Sequence, residues 1–318
     1  MSVNQQEVLS CFKVLVYMAK ADGQVLDEES SSLAQAFGEI ELPEGVTIES
    51  LLSEEMNVDE LLAQIGSTAA QELVYQSAYT MANIDGNCSV EEQALLNKIA
   101  NTFTKFDLWQ KEERIHDLQC RAERSSFSKQ VKQIADAKKR EIEVDNEIRD
   151  YCFLNAVLGA FPFPGIAIAV DLYIYWSQLD MVQDIGERWG YDRTQADLKK
   201  AFFGSIGWTG ARIAVSNLAK LVPVFGSAVG AATAFTTTWA IGKVANQYFA
   251  SGCQMDAMSL KQAFKAAKKE GETVYKENEE AIAAKQKELE PQMQALSADL
   301  EAGRITQEEY QVKLRELV

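Results

Sequence analysis

Histidine is almost missing from this chain: one, His116, stands in 318 residues. Its surroundings, Glu112-Glu113-Arg114-Ile115-His116-Asp117, read as a solvated helical face. A multi-histidine zinc site and any catalytic triad built on another histidine are therefore excluded. Proline is also scarce, with five residues in the whole length. Long stretches without proline or glycine favour helices over turn-rich β structure. The five cysteines (Cys11, Cys88, Cys120, Cys152 and Cys253) lie far apart, form no C-x-x-C pair and are odd in number. That spacing argues against a disulfide framework and for a reducing, cytoplasmic setting. No basic segment followed by an apolar core opens the chain, so no secretory signal is expected. The phosphate-binding patterns G-x-x-x-x-G-K-[ST] and G-x-G-x-x-G are missing too, which removes the ordinary nucleotide sites. What is left is an all-α protein with no recognisable catalytic site.

Negative charge is abundant but unevenly placed. Residues 1–100 hold 3 Lys/Arg against 17 Asp/Glu, whereas residues 151–250 hold 7 against 6, within a chain of net charge −16. The acidity belongs to the first part of the chain. Such a surface repels nucleic acid and suits cations or basic partners, or simply keeps a fold soluble.

An internal repeat lies in this acidic part, at an offset of 63 residues. Met18-Ala19-Lys20-Ala21-Asp22-Gly23 continues to Asp27-Glu28-Glu29. Met81-Ala82-Asn83-Ile84-Asp85-Gly86 continues to Glu91-Glu92 at the same spacing. Each copy follows an apolar helix, with Phe12, Leu15, Val16 and Ala19 on one stripe and Leu73, Tyr75, Ala78, Tyr79 and Ala82 on the other. The Asp-Gly pair ends a helix, since glycine takes positive φ freely. The Glu-Glu pair sits in the next helix's first turn, where negative charge meets the positive end of the dipole. Ser89 and Glu92 have capping-box spacing; Asp27 takes the capping role in the first copy. Neither copy alone has enough oxygen ligands for an EF-hand, although acidic loops from both can share one cation.

The doubled M-A-x-x-D-G-x-x-x-x-E-E resembles the TerB-like domain of bacterial tellurite-resistance and stress proteins, over roughly residues 5–105. That resemblance implies a small helical bundle with acidic clusters for a divalent metal, calcium or magnesium. The positions carried over are Asp22, Glu28, Glu29, Asp85, Glu91 and Glu92.

Two stretches further on, Tyr151–Val170 and Leu221–Gly242, contain no charged residue. Their lengths, 20 and 22 residues, reach the roughly 20 that a bilayer span needs. Against spanning, Phe161-Pro162-Phe163-Pro164-Gly165 breaks the first run. Asp171 and Arg212 also interrupt the neighbouring apolar segments. Gly226 and Gly230 form a G-x-x-x-G pair, with Ala234 one turn on, suited to close helix contact in lipid or in a core. Asn155, Pro162, Pro164, Asp171, Gln178, Met181, Ile185 and Gly190, with Leu221, Val222-Pro223, Gly226, Gly230, Thr237, Ile241-Gly242 and Phe249, resemble the GTPase-associated helical family typified by YcjF, over about residues 150–252. That resemblance implies a GTPase or membrane-protein partner, or contact with membrane lipid.

Residues 256–290 carry abundant Lys and Glu with apolar positions at helical spacing, reading as a long exposed helix or a short coiled coil that Pro291 interrupts. Gly303 then stops a helix, and Thr306 with Glu309 starts another by a capping box. The G-x-I-T-x-E-E core there is similar to the SHOCT hairpin, which implies docking or self-association. Five segments result: an acidic bundle over 1–107, a charged linker helix over 108–150, an apolar helical domain over 151–252, a charged helix over 253–290 and a hairpin over 291–318. Taken together they describe a non-enzymatic bacterial stress-related interaction protein, cytoplasmic and peripheral or integral at the cytoplasmic membrane. The alternative is a soluble helical scaffold with no metal or membrane role.

Overall fold

The computed structural model describes residues 5–20, 37, 46–53, 57–83, 88–103, 131–161, 167–191, 215, 218 and 228–317. Every regular element among them is a helix. The all-α class expected from the sparse prolines is the observed one. In chain order the helices are α1 (Gln5–Ala19), α2 (Ile48–Ser53), α3 (Val58–Ala63), α4 (Thr68–Asn83), α5 (Val90–Thr102), α6 (Ala137–Gly159), α7 (Ala167–Trp189), α8 (Ala228–Ala250), α9 (Ala257–Glu301) and α10 (Gln307–Leu317).

Two compact units share the chain. Unit 1 takes residues 1–120, 162–171 and 207–226; unit 2 takes 121–161, 172–206 and 227–318. In unit 1, α1 packs against α2, α3 and α4, and α4 against α5. Phe12, Leu15 and Val16 of α1 meet Leu73, Val74, Tyr75 and Ala78 of α4 and Leu96 and Ile99 of α5 in one apolar cluster. The two stripes read from the sequence all lie in that core, though Tyr79 reaches only its margin. Val215 and Leu218 join the same cluster from more than 100 residues away.

Local chemistry sets the helix starts. Ser89 Oγ accepts the Glu92 amide at 3.1 Å, and the Glu92 carboxylate accepts the Ser89 amide at 2.8 Å, completing the expected capping box. A Ser89→Ala protein is expected to lose about 1 kcal/mol of stability, read as a lowered thermal midpoint. An unchanged midpoint would show that this cap is dispensable. Asn57, Asp136 and Asp256 cap α3, α6 and α9 by accepting amides two or three residues on. The bond from the Ser259 amide holds the Asp256 carboxyl below its ordinary pKa.

In unit 2, α8 lies against both α6 and α9, and α9 also touches α6. Helix α6 runs unbroken for 23 residues, from the charged stretch expected as a linker into the apolar stretch expected as a separate domain. One face explains the continuity: Val144 and Ile148 are as deeply buried as Cys152, Ala156 and Val157. Helix α9 continues for 45 residues through Pro291, where the sequence suggested an interruption. Proline in a helix interior costs about 3 kcal/mol. Buried Leu289 and Met293 on either side anchor both turns and offset that cost.

The helix stop at Gly303 and the helix start after Thr306 form as read, in a turn that joins α9 to α10. Gly303 has φ of 66°, and Thr306 and Glu309 exchange the two capping-box bonds at 3.2 and 2.8 Å. It folds back within the chain: α10 packs on α9, with Tyr310 and Leu314 buried.

Among the described residues no helix is long and apolar enough to cross a membrane. The uncharged run Tyr151–Val170 falls partly in α6 and partly in α7, and the described part of Leu221–Gly242 lies in α8. Its side chains meet protein: Ala156, Val157, Leu158, Phe235, Trp239 and Ile241 are all buried.

Candidate functional site

Of the residues proposed to hold a cation, Asp22, Glu28, Glu29 and Asp85 lie outside the described residues. Glu91 is exposed in the first turn of α5, and Glu92 is half-buried with its carboxylate engaged in the cap. Among the described residues no group of three or more His, Cys, Asp or Glu is placed to hold a metal ion. Of the residues proposed for helix or membrane contact, Pro162, Phe163, Pro164 and Gly226 also lie outside them. Phe161 is buried.

Gly230 is where the sequence reading and the structure meet. A Cβ at Gly230 would overlap the carbonyl oxygen of Gly159 at the end of α6. A Cβ at Gly159 would in turn lie 2.8 Å from Ala234 Cβ and 2.8 Å from the Gly230 oxygen. The small-residue face of α8 thus contacts α6 of the same chain, backbone against backbone.

One turn further into this contact is a polar cluster that the sequence reading did not assemble. Thr238 Oγ1 of α8 accepts from Asn155 Nδ2 at 3.1 Å and from Gln178 Nε2 at 2.8 Å, and donates to the Ala234 carbonyl at 2.7 Å. Ser177 Oγ donates to Asn155 Oδ1 at 2.6 Å. All four side chains are buried. Three helices, α6, α7 and α8, are tied together through one threonine hydroxyl.

Along the same side of α7 stand two buried carboxylates, Asp180 and Asp184. Tyr151 of α6 donates its hydroxyl to Asp184 at 2.9 Å. Burial first, then the nearby Asp184 and Asp180, push the Tyr151 ionisation far above its ordinary value. Tyr151 therefore stays a neutral donor. At the periphery, Glu147 meets Arg188 at 3.4 Å and Asp145 meets Lys243 at 2.9 Å. Arg140 covers the Trp189 ring at 3.8 Å, and Trp189 donates to Asn246 at 2.7 Å.

Among the described cysteines, burial raises the ionisation of the Cys11 and Cys152 thiols well above the ordinary range. Such thiols are poor nucleophiles. The signal for the polar cluster was weak but present. Asn155, Ser177, Gln178 and Thr238 each stand beside apolar residues in the chain, and a buried polar side chain needs a partner.

No family model matches the chain, and no solved structure matches it. The uncharacterized protein sll0481 of Synechocystis sp. (strain ATCC 27184 / PCC 6803 / Kazusa) is 36% identical over 109 residues, 32% of this chain and 70% of that protein. The chain belongs to the family of sll0481. Its relationship to that bacterial protein rests on about a third of its length, and the sll0481 name carries no activity to transfer.

Proposed function

We propose that this member of the sll0481 family is a non-enzymatic bacterial interaction protein. Its acidic unit takes up a divalent cation, calcium or magnesium, and its second helical unit engages a protein partner. The observation that carries this reading is the partition of charge. The 17 acidic residues of positions 1–100 all fall in the sequence span of unit 1, against 3 basic ones. The repeated Asp-Gly…Glu-Glu turns and their likeness to TerB-like domains point the same way, toward a role in stress response. The likeness of the middle region to the GTPase-associated family suggests a GTPase or membrane protein as the partner. In support of a non-enzymatic role, the polar side chains at the centre of unit 2 bond one another across three helices.

Calorimetric titration of the full chain with calcium and with magnesium tests the cation reading. Saturable heat is expected for one of the two ions. Affinity should fall about tenfold or more in Asp22→Asn/Asp85→Asn, since hard cations need charged oxygen ligands. No heat with either ion, or unchanged binding in the double variant, would refute it.

A second reading, a helical scaffold with neither metal nor membrane role, is favoured by one observation: within the uncharged stretches, Ala156, Val157, Phe235 and Trp239 are buried. Blank titrations would leave this reading in place.

A further inference from the structure

We propose that α10 is a detachable strap. It leaves α9 as one cooperative unit while the rest of unit 2 stays folded, so that the last turns of α9 alternate between a covered and an uncovered state. The inference goes beyond the cation and partner readings and depends on neither. Four observations carry it.

The first is how little fastens the strap. Among the described side chains of α10, Tyr310 and Leu314 are buried and Leu317 is half-buried, whereas Glu309, Val312, Lys313 and Glu316 are exposed. Among the described residues no side-chain hydrogen bond or ion pair ties α10 to α9 beyond the turn between them. The Thr306–Glu309 capping bonds and the Arg304–Asp299 ion pair at 2.7 Å both belong to that turn. Attachment rests on two buried groups.

The second is that one of these groups resists burial. The Tyr310 hydroxyl is buried and has no hydrogen-bond partner among the described residues. A hydroxyl taken out of water without a partner works against the docked state. Phenylalanine would fill the same space without that penalty. The hydroxyl therefore keeps docked and released states close in free energy.

The third is length. Helix α10 has 11 residues, and isolated helices so short are marginal in water. Once it leaves α9 it loses its helical order, and the freed chain entropy favours release. Detachment and unfolding of α10 are thus one event.

The fourth is that the rest of the region holds itself. Helix α9 ends at Glu301 and α10 begins at Gln307, so Gly303, at φ of 66°, stands in a short exposed hinge. That connection confines α10 to the last three turns of α9, about 16 Å of helix. Met293, Leu296 and Leu300 are buried there. Helix α9 is anchored further back by Leu260, Phe264, Ala267, Tyr275, Ile282 and Leu289, which release of the strap leaves in place.

Hydrogen exchange of the full chain tests the strap. Amides of residues 310–316 should exchange at least about a hundredfold faster than those of residues 239–249 in α8, because they open without global unfolding. Their protection should be level across the segment. Tyr310→Phe removes the orphaned hydroxyl and keeps the ring, so exchange of α10 should slow about tenfold while α8 is unchanged. Leu314→Ala removes the other fastening and should speed it at least about tenfold. Trypsin cleavage after Lys313 under native conditions supplies a second readout, with Leu314→Ala cut fastest and Tyr310→Phe slowest. Protection of α10 equal to that of α8, protection that falls smoothly toward Leu317 as in simple fraying, or a Tyr310→Phe chain that exchanges like the wild type would each overturn the proposal.

Discussion

Thr238→Val is expected to destabilise unit 2 by about 2–5 kcal/mol, although valine has nearly the shape of threonine. The reason lies in what the hydroxyl accepts. Asn155 and Gln178 both donate to it, and neither amide has solvent to turn to. Each buried donor left unmade costs about 1–3 kcal/mol of desolvation that is no longer compensated. The lost bond to the Ala234 carbonyl matters less, since a carbonyl inside a helix retains its backbone partner. Denaturant unfolding followed by tryptophan fluorescence suits the measurement, because three of the five tryptophans, Trp176, Trp189 and Trp239, lie in unit 2. Gln178→Met in the Thr238→Val background removes one orphaned donor and should recover part of the loss. The resulting double-mutant cycle isolates the coupling between the two residues. A loss below about 1 kcal/mol for Thr238→Val would mean that the three helices do not depend on this hydroxyl.

Gly230→Ala should also destabilise the protein, by about 1–3 kcal/mol, against the direction of helix propensity. Alanine in a helix interior is favoured over glycine by about 1 kcal/mol. Here the new methyl group would overlap a backbone oxygen, that of Gly159, and no rotamer change can clear it. α6 and α8 would have to separate, and that movement pulls on the Thr238 cluster two turns along α8. Gly66→Ala makes the comparison, because a Cβ there meets nothing within 4 Å. It should be neutral or slightly stabilising. Equal effects at the two positions, read from thermal midpoints, would refute close packing at Gly230. Gly230→Val should be worse than alanine, since a β-branched side chain adds bulk to the same overlap.

The parts of the fold that were legible in the sequence are those set by neighbours in the chain. The Ser89–Glu92 and Thr306–Glu309 boxes span three residues each, and the Gly303 turn needs only one residue tolerant of positive φ. The stripe of Phe12, Leu15, Val16 and Ala19 shows its buried side through its period alone. Pro291 was misleading for the opposite reason. A local rule against proline in helices was overridden by burial of Leu289 and Met293, which lie on a face that only the assembled unit provides.

The uncharged runs make the same point on a larger scale. Absence of charge says that a segment avoids water, but lipid and protein interior satisfy that requirement equally. For the described residues, the close approach of Gly159, Gly230 and Ala234 shows that part of this apolar surface is taken up by contact between helices of the same chain. The small-residue spacing was visible; its partner, some 70 residues away in sequence, was not.

Composition, period and short-range capping chemistry by themselves determined that this chain is helical, where several of its helices begin and end, and that its acidity is concentrated in the first hundred residues. The tertiary structure decided which helices share a core, how the chain divides into interleaved units, and that Asn155, Ser177, Gln178 and Thr238 form one hydrogen-bonded group. The physical reason is range. Propensity and capping act within a turn or two of helix, whereas burial and the pairing of buried polar atoms are properties of surfaces brought together from distant parts of the chain.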